Sequence, residues 1–502
     1  MHPGLRDWAQ RDPNRQALLI DGSGAISYAA LEARANVLAH AIHGFGLRRG
    51  DHVAMLAGNT SDAIALCWAA WRSGVYLTPL PTTLTPPEVA YIIADCGAQV
   101  VSAHADFAKV AAALPGLCPD VTFRSLGGKI DGVPPWEPEL TNLPDTPRAD
   151  EVPGGLMMYS SGTTGAPKGI LRPLPAPDDT DRLPTFAGDL VSLFDLTPDV
   201  RYLQTAPMYH AASLRFALAV TAVGGLAVVM RKFDAARALH LIDAHDLTLS
   251  QWVPTMFRRM LDLPEDVRGA YRGRHHTRAI HGAAPCTPAL KRAMTDWWGP
   301  ILQEYYSGSE GVGLTRIDSD EWEKRPGSAG RAYKGTLHIL GPDDEELPPG
   351  ETGRVFFSGM PRFSYHNAPE KTDAKTSKQG WQSFGDVGRV DAEGYLYLTD
   401  RGDDMIISGG VNVYPQEIEA VIEEADFIAE CGVVGVPDPQ FEERPVAFVV
   451  PVAGETDIVA RLTPHIEERL GRIKHPREIR VVDGLPMSAT GKLLRRALRE
   501  ML

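Results

Sequence analysis

Cysteine is scarce in this chain: 502 residues contain five, at positions 67, 96, 118, 286 and 431, with no CxxC pair. An odd count without paired spacing excludes a disulfide framework or a structural zinc site as the organising principle, and it suits a reducing cytoplasm. Long apolar runs are missing too. The longest uncharged one, Phe216 to Met230, is too short for a usual membrane span and is interrupted by Gly224-Gly225, so it reads as buried core. No basic stretch followed by an apolar run opens the chain, which argues against a signal peptide. Positive charge is in deficit, with 50 Lys and Arg against 64 Asp and Glu and a net charge of −14. Broad nucleic-acid binding needs the opposite balance. What is present is ordinary for a globular protein: 44% hydrophobic and 23% charged residues, enough for a large core in roughly two or three domains.

Along the chain, short apolar runs alternate with helical patterns. Asp51–Leu56, Val75–Leu80 and Ala98–Ser102 read as strands, with a helix over Thr60–Ser73. This βαβα order predicts a parallel sheet covered by helices. A Pro-rich connection (Pro134 to Pro153) links it to a second α/β series running from about Gly155 to Pro300. β-rich segments follow: Gly335–Leu340, Gly353–Ser358 and Tyr395–Leu398, with Pro348-Pro349-Gly350 as a turn. The last hundred or so residues read as a separate small α+β domain: a helix from Pro415, strands at Cys431–Val436 and Val446–Val452, a helix over Asp457–Leu470 and a basic helical tail.

The densest chemical signal is Tyr159-Ser160-Ser161-Gly162-Thr163-Thr164-Gly165-Ala166-Pro167-Lys168-Gly169. Glycines let backbone N–H groups approach an anion closely, and four hydroxyls and a lysine add donors for phosphate oxygens. Most Gly/Ser/Thr clusters are plain polar loops, but this one suits a clamp on a polyphosphate. It lacks the GxxxxGK[ST] spacing of the common P-loop.

This segment resembles the signature of the adenylate-forming superfamily, which includes acyl-CoA synthetases, luciferases and peptide-synthetase adenylation domains. Further matches follow in the family's order over nearly the whole chain. Pro207-Met208-Tyr209-His210 resembles the segment whose His lines the acid pocket. Gly282-Ala283-Ala284-Pro285 resembles the small-residue stretch beside adenine and the acid. Tyr305-Tyr306-Ser307-Gly308-Ser309-Glu310 resembles "YGxTE", with Ser307 and Ser309 in place of the usual Gly and Thr. The resemblance implies that Tyr306 lies against adenine, that Ser309 bonds phosphate and that Glu310 holds magnesium. Trp381 to Gly388 resembles the segment whose aspartate, here Asp386, would bond the ribose hydroxyls, and Asp400 to Pro415 resembles the crossover between the two domains. There Arg401 would contact ribose or phosphate, Asp403 would be the hinge, and Gly409 and Gly410 would pass the pantetheine arm. In Ser488-Ala489-Thr490-Gly491-Lys492, Lys492 would bridge the carboxylate and the α-phosphate.

The fold this implies is α/β, with a large N-terminal body of layered α/β subdomains plus a β-rich subdomain, and a small mobile C-terminal α+β domain. The expected limits are 1–399 for the body, 400–404 for the hinge and 405–502 for the mobile domain. The implied activity joins a carboxylic acid to CoA through an acyl-adenylate, using ATP and Mg2+, with transfer to an amine as the alternative. No aspartate stands near Met208–Ala212 to hold an amino group, so an α-amino acid is disfavoured. Tyr209, His210, Trp252, Ala283, Ala284 and Tyr305 would wall a pocket for an aryl, medium-chain or alicyclic acid. A homodimer is left open. A non-catalytic relative would lack the key residues, yet Lys492, Glu310 and Asp386 are all present.

Overall fold

The architecture was established from a computed structural model. It describes residues 4–160, 167–178, 185–401, 404, 406–408, 411–439, 441–488 and 493–502. The expected strands and helices form close to where the sequence places them, and two large sheets and a small one of three strands build the large body.

The first sheet pairs His52–Leu56, Tyr76–Pro79, Ala98–His104 and Thr122–Leu126 in parallel, and Gly155–Leu156 completes it beside Tyr76–Pro79. The Pro-rich connection therefore returns to the first sheet, and the second series begins later than Gly155. The physical reason is local: Gly154 lies so close to the carbonyls of Ala70 and Val75 that only a residue without a Cβ fits.

The second sheet has 13 strands in one continuous order. Its parallel half contains Gln16–Ile20, Leu226–Val229, Arg201–Gln204, Leu249–Trp252, Arg278–His281 and Leu302–Tyr306. At Leu302–Tyr306 the pairing turns antiparallel, and the segments expected to form a separate β-rich unit extend the same sheet.

Helices Tyr28–Gly44, Ser61–Arg72 and Ala211–Val223 share the largest apolar core. Each has a defined end. Ser27 and Thr60 cap the first two by accepting from Ala30 and Ala63, at 3.2 and 3.3 Å. Gly224, at φ 92°, ends the third against the Trp8 ring. The apolar run Phe216–Met230 is thus a buried helix and a buried strand. No helix among the described residues is long and apolar enough to cross a membrane.

A smaller C-terminal domain folds around a sheet of Ile406–Ser408, Val411–Val413, Ile428–Asp438, Glu442–Pro451 and Glu478–Val481, with helices Pro415–Glu423 and Ile458–Glu467 on its core. It meets the body where Arg258 donates to the carbonyl of Ala429 and to Glu423 Oε1, the latter at 3.3 Å.

Between the helices of the body lies a buried ionic cluster. Arg72 donates to Asn36 Oδ1 at 2.6 Å and to Glu32, and its side chain is only 7% exposed. Removing one partner strands a buried charge, at a cost of about 3 kcal/mol. Arg72→Met should therefore lower the urea midpoint of the body's transition by that equivalent, read by tryptophan fluorescence. Full retention of the wild-type midpoint would show that the cluster contributes nothing to stability.

Candidate active site

The parallel strands of the second sheet deliver their carboxyl ends to one edge, the usual place for a ligand crevice in an open α/β sheet. Four loops leave there: Thr205–His210 after Arg201–Gln204, Val253 onward after Leu249–Trp252, Gly282–Pro285 after Arg278–His281, and Ser307–Glu310 after Leu302–Tyr306. Three of the four carry motifs singled out in the sequence.

A third sheet, of three strands, is small. Met158–Ser160 pairs antiparallel with Lys168–Leu171, with Ser160 opposite Lys168, and Ser364–Tyr365 pairs with the far edge. The polar loop therefore spans a hairpin and not the strand-to-helix turn of a P-loop. Its tip, Ser161, Gly162, Thr163, Thr164 and Gly165, lies outside the described residues, as do Asp403, Gly409, Gly410 and Lys492. Lys168 sits at the base of the loop with its Nζ 5.3 Å from the centre of the Tyr365 ring.

Two hydroxyl–carboxylate bonds organise the site. Tyr306 donates its phenol O–H to Asp386 Oδ2 at 2.5 Å. Tyr365 donates to Glu310 Oε1 at 2.8 Å. Asp386 in turn pairs across strands with Arg401, at the end of Tyr395–Arg401. The Tyr306 ring meets Phe384 edge-on, with centroids 5.3 Å apart. Gly308 is squeezed so that a Cβ would lie 2.6 Å from Phe384 and 2.8 Å from Glu310 Oε2. Ser307 turns away and donates to the carbonyl of Gly313 at 2.8 Å, so the Gly-to-Ser departure serves the loop's own backbone. Ser309 lies between these anchors, half-buried.

The small-residue stretch is equally constrained. A Cβ on Gly282 would stand 2.8 Å from the carbonyl oxygen of Tyr305. Ala283 holds φ 68°, a region costly for a residue with a Cβ and often met at functional sites. Ala284 follows in the same turn and is half-buried. Tyr305 packs edge-on to Phe194 at 6.1 Å.

Tyr209 and His210 stack at a tilt, with centroids 4.3 Å apart. Their loop is fixed by Asn59, which reading along the sequence could not reveal. Asn59 donates to the carbonyls of Ala206 and Met230, at 3.1 and 2.7 Å, and accepts from Met208 N–H at 2.8 Å. Among the described residues, His210 Nε2 is buried with no hydrogen-bond partner. Burial pushes its pKa down to about 4, so the ring is neutral at ordinary pH. Trp252 does not line this site. It is fully buried against Phe257 and Trp298 on the opposite face, and its Nε1–H donates to Ser250 at 2.6 Å.

No group of three or more His, Cys, Asp or Glu side chains that could cage a metal occurs among the described residues. A lone carboxylate, Glu310, oriented by Tyr365, suits a magnesium ion that arrives with nucleotide phosphates and keeps its waters.

In the C-terminal domain, Arg495 is half-buried and ion-paired, not solvated as a basic tail would be. It holds Glu419, with Nη2 to Oε2 at 3.0 Å, and approaches Asp404 at 3.5 Å. Met487 and Leu493 bridge antiparallel, and Leu494 N–H bonds to the carbonyl of Pro486 at 2.9 Å, closing the base of the loop that carries Lys492.

Two outcomes follow. Tyr365→Phe frees Glu310 without opening a cavity, so the magnesium concentration for half-maximal activity should rise about 3- to 10-fold, the equivalent of one charge-assisted hydrogen bond. An unchanged magnesium titration would deny Glu310 its role. Because His210 holds a pKa near 4 against an ordinary 6.5, the unfolded chain binds its proton first as pH falls. Its contribution to stability is therefore complete above about pH 6.5 and is lost between there and about pH 4. An NMR titration should find no protonation of His210 between pH 6 and 8; a midpoint near 6.5 would contradict its burial.

Comparison with known proteins agrees with this geometry. Residues 5–363 match the family described as AMP-binding enzyme, and residues 417–492 match the AMP-binding enzyme C-terminal domain. A feruloyl-CoA synthase of Amycolatopsis sp is 32% identical over 504 residues, covering 99% of this chain and 98% of that protein. The ATP-bound crystal structure of MatB from Rhodopseudomonas palustris superposes with a TM-score of 0.85 at 29% identity, covering 100% and 99% of the two chains. The amide bond synthetase McbA from Marinactinospora thermotolerans gives a TM-score of 0.84 at 25% identity, over 99% and 100%. The chain belongs to the AMP-binding, adenylate-forming enzyme family and, within it, to the ATP-dependent acid–CoA ligases.

Proposed function

We propose that the chain activates an aryl, medium-chain or alicyclic carboxylic acid as its adenylate at the carboxyl edge of the second sheet, and passes the acyl group to CoA. The observation that carries this reading is the pair of tyrosine-held carboxylates, Asp386 and Glu310, flanking the narrow Gly282–Ala284 turn.

The chemistry joins two anions. A carboxylate oxygen of the acid bonds to the α-phosphorus of ATP as the bond to the β-phosphate bridging oxygen breaks, and pyrophosphate leaves. The protein's part is alignment and neutralisation of charge. Asp386, held by Tyr306, accepts from the ribose hydroxyls, while the rings of Tyr306 and Phe384 and the Gly282–Ala284 turn shape a slot for the base. The hydroxyls and N–H groups of the Ser160–Gly165 loop, with Lys168, surround the β- and γ-phosphates. Glu310 would hold a magnesium ion, which would supply further neutralisation of the phosphates. Lys492 bridges carboxylate and α-phosphate, and no side-chain nucleophile is needed. In the second half the thiolate of CoA attacks the acyl carbon, and AMP leaves with the electron pair of the broken C–O bond.

The two halves need different groups near one carbonyl. Residues 1–399 as a body, 400–404 as a joint about Asp403, and 405–502 as a swinging domain would withdraw Lys492 and bring Gly409-Gly410 to the pantetheine arm. The five free cysteines and acidic balance accord with a cytoplasmic enzyme.

The test is acid-dependent pyrophosphate release across a broad acid panel, followed by mass analysis of product with CoA or amines present. Acyl-CoA is the expected product. An amide in place of the thioester would favour the second reading, to which the likeness to McbA lends weight. Lys492→Ala should reduce adenylation by about 100-fold or more while sparing thioester formation from supplied acyl-adenylate. Undiminished adenylation would remove the lysine from the mechanism.

A further inference from the structure

The body grips the C-terminal domain through Arg258. The helix that carries it, Pro254–Leu261, starts just past the end of the strand Leu249–Trp252, at the carboxyl edge that carries the site. Met256, Phe257 and Met260 are buried and root this helix in the body. Arg258 reaches across to the other domain with 28% of its side chain exposed. Its two terminal nitrogens take two different elements there. Nη1 donates to the carbonyl of Ala429, in the strand Ile428–Asp438, and Nη2 donates to Glu423 Oε1 at 3.3 Å, at the end of the helix Pro415–Glu423. A guanidinium is planar and rigid, so its fork fixes direction as well as distance. Two anchors on two elements set an orientation of the domain.

From Glu423 the polar contacts continue inward. Glu419 stands one helical turn earlier, on the same face. Its Oε1 accepts from Val433 N–H at 2.7 Å and its Oε2 from Arg495 Nη2 at 3.0 Å. Arg495 also donates to the carbonyl of Val433 at 2.5 Å and approaches Asp404 at 3.5 Å. Arg495 lies three residues past Lys492, and Asp404 directly follows Asp403. The helix Pro415–Glu423 is therefore held by the body at its end and, one turn earlier, holds the root of the lysine loop. Burial pushes the Glu423 carboxyl up, Arg258 pulls it back, Glu419 adds like charge, and Thr287 offers a hydroxyl from the body. A charge pair that is part open to water is made and parted at low cost, because water takes both halves. That suits a contact which a moving domain must form and release.

We infer that Arg258 is a positioning residue: it fixes one docked orientation of the C-terminal domain and, through Glu423, Glu419 and Arg495, the orientation of the Lys492 loop, so that the two halves of the reaction depend on it unequally. This rests on the acid-activating reading above and adds the contact that a swing of the domain must break.

The experiment measures the two halves separately in the full-length enzyme, with hexanoic and benzoic acids as probes. Adenylation is read as acid-dependent exchange of pyrophosphate into ATP without CoA. Thioester formation is read as acyl-CoA made from supplied hexanoyl-adenylate or benzoyl-adenylate. Arg258→Gln and Glu423→Gln should each change the ratio of the two rates by about 10-fold, the loss of one charge-assisted hydrogen bond from one of two orientations. Arg258→Lys, which keeps the charge, should restore part of the ratio. Trypsin cleavage after Arg401, in the proposed joint, should quicken about 3-fold or more in both Gln variants, because cleavage follows the population of the open form. Glu423→Gln probes the contact from the other domain, so a variant that fails to fold leaves the other to decide. Two rates that fall together, or a ratio equal to that of the wild type, would overturn the inference and leave Arg258 a strut. A wild type silent with both acids would tell against acid activation. The trypsin rate needs no substrate and would then decide the contact by itself, with unchanged cleavage overturning it.

Discussion

Two phenol hydroxyls fix two carboxylates, and the rest of the site is arranged about them. Tyr306 to Asp386 and Tyr365 to Glu310 are bonds between distant parts of the chain, 80 and 55 residues apart. Each ties the parallel region of the large sheet to its antiparallel extension or to the small hairpin. A carboxylate so held is oriented before any ligand arrives, and orientation in advance is what a reaction between two anions requires. The bonds exist because the sheet changes sense at Leu302–Tyr306, so that strands from both halves end at one edge.

The electrostatics follow a consistent division. The proposed nucleotide side carries the carboxylates, suited to ribose hydroxyls and a hard cation. The helix Ala211–Val223 follows on His210, which burial keeps neutral. A neutral ring adds shape and a hydrogen-bonding nitrogen without adding charge. Support comes from behind the visible motifs: Asn59 makes two hydrogen bonds to the loop before His210 and a third to Met230, and Arg495 anchors the chain just beyond Lys492.

Much of this was legible along the chain, and the reasons differ by feature. Strands such as Val53–Leu56 and Val446–Val449 are runs of apolar residues bounded by turn signals, so local pattern sufficed. Gly282 was legible because a close backbone approach admits few residue types. Tyr365 was not: it lies in a strand of two residues with no periodicity, and only its pairing with Ile170 brings it to Glu310. Trp252 misled because an aromatic next to a motif-bearing loop is equally suited to a pocket or a core, and the side of the strand decides. The start of the second series was misplaced because Gly155–Leu156 is apolar and strand-like whichever sheet it joins.

The sequence by itself determined the residue types that the proposed chemistry uses: the hydroxyl-rich loop, Lys168, Glu310, Asp386, Lys492 and their order. It also determined the alternation that makes two sheets, since hydrophobic period and turn residues are properties of neighbours along the chain. Only the tertiary structure decided which hydroxyl holds which carboxylate, that one sheet of 13 strands runs through both halves of the body, and that Arg258 of the body grips two elements of the C-terminal domain. Those are relations across tens to hundreds of residues, set by the packing of sheet against helix, and no local pattern encodes them.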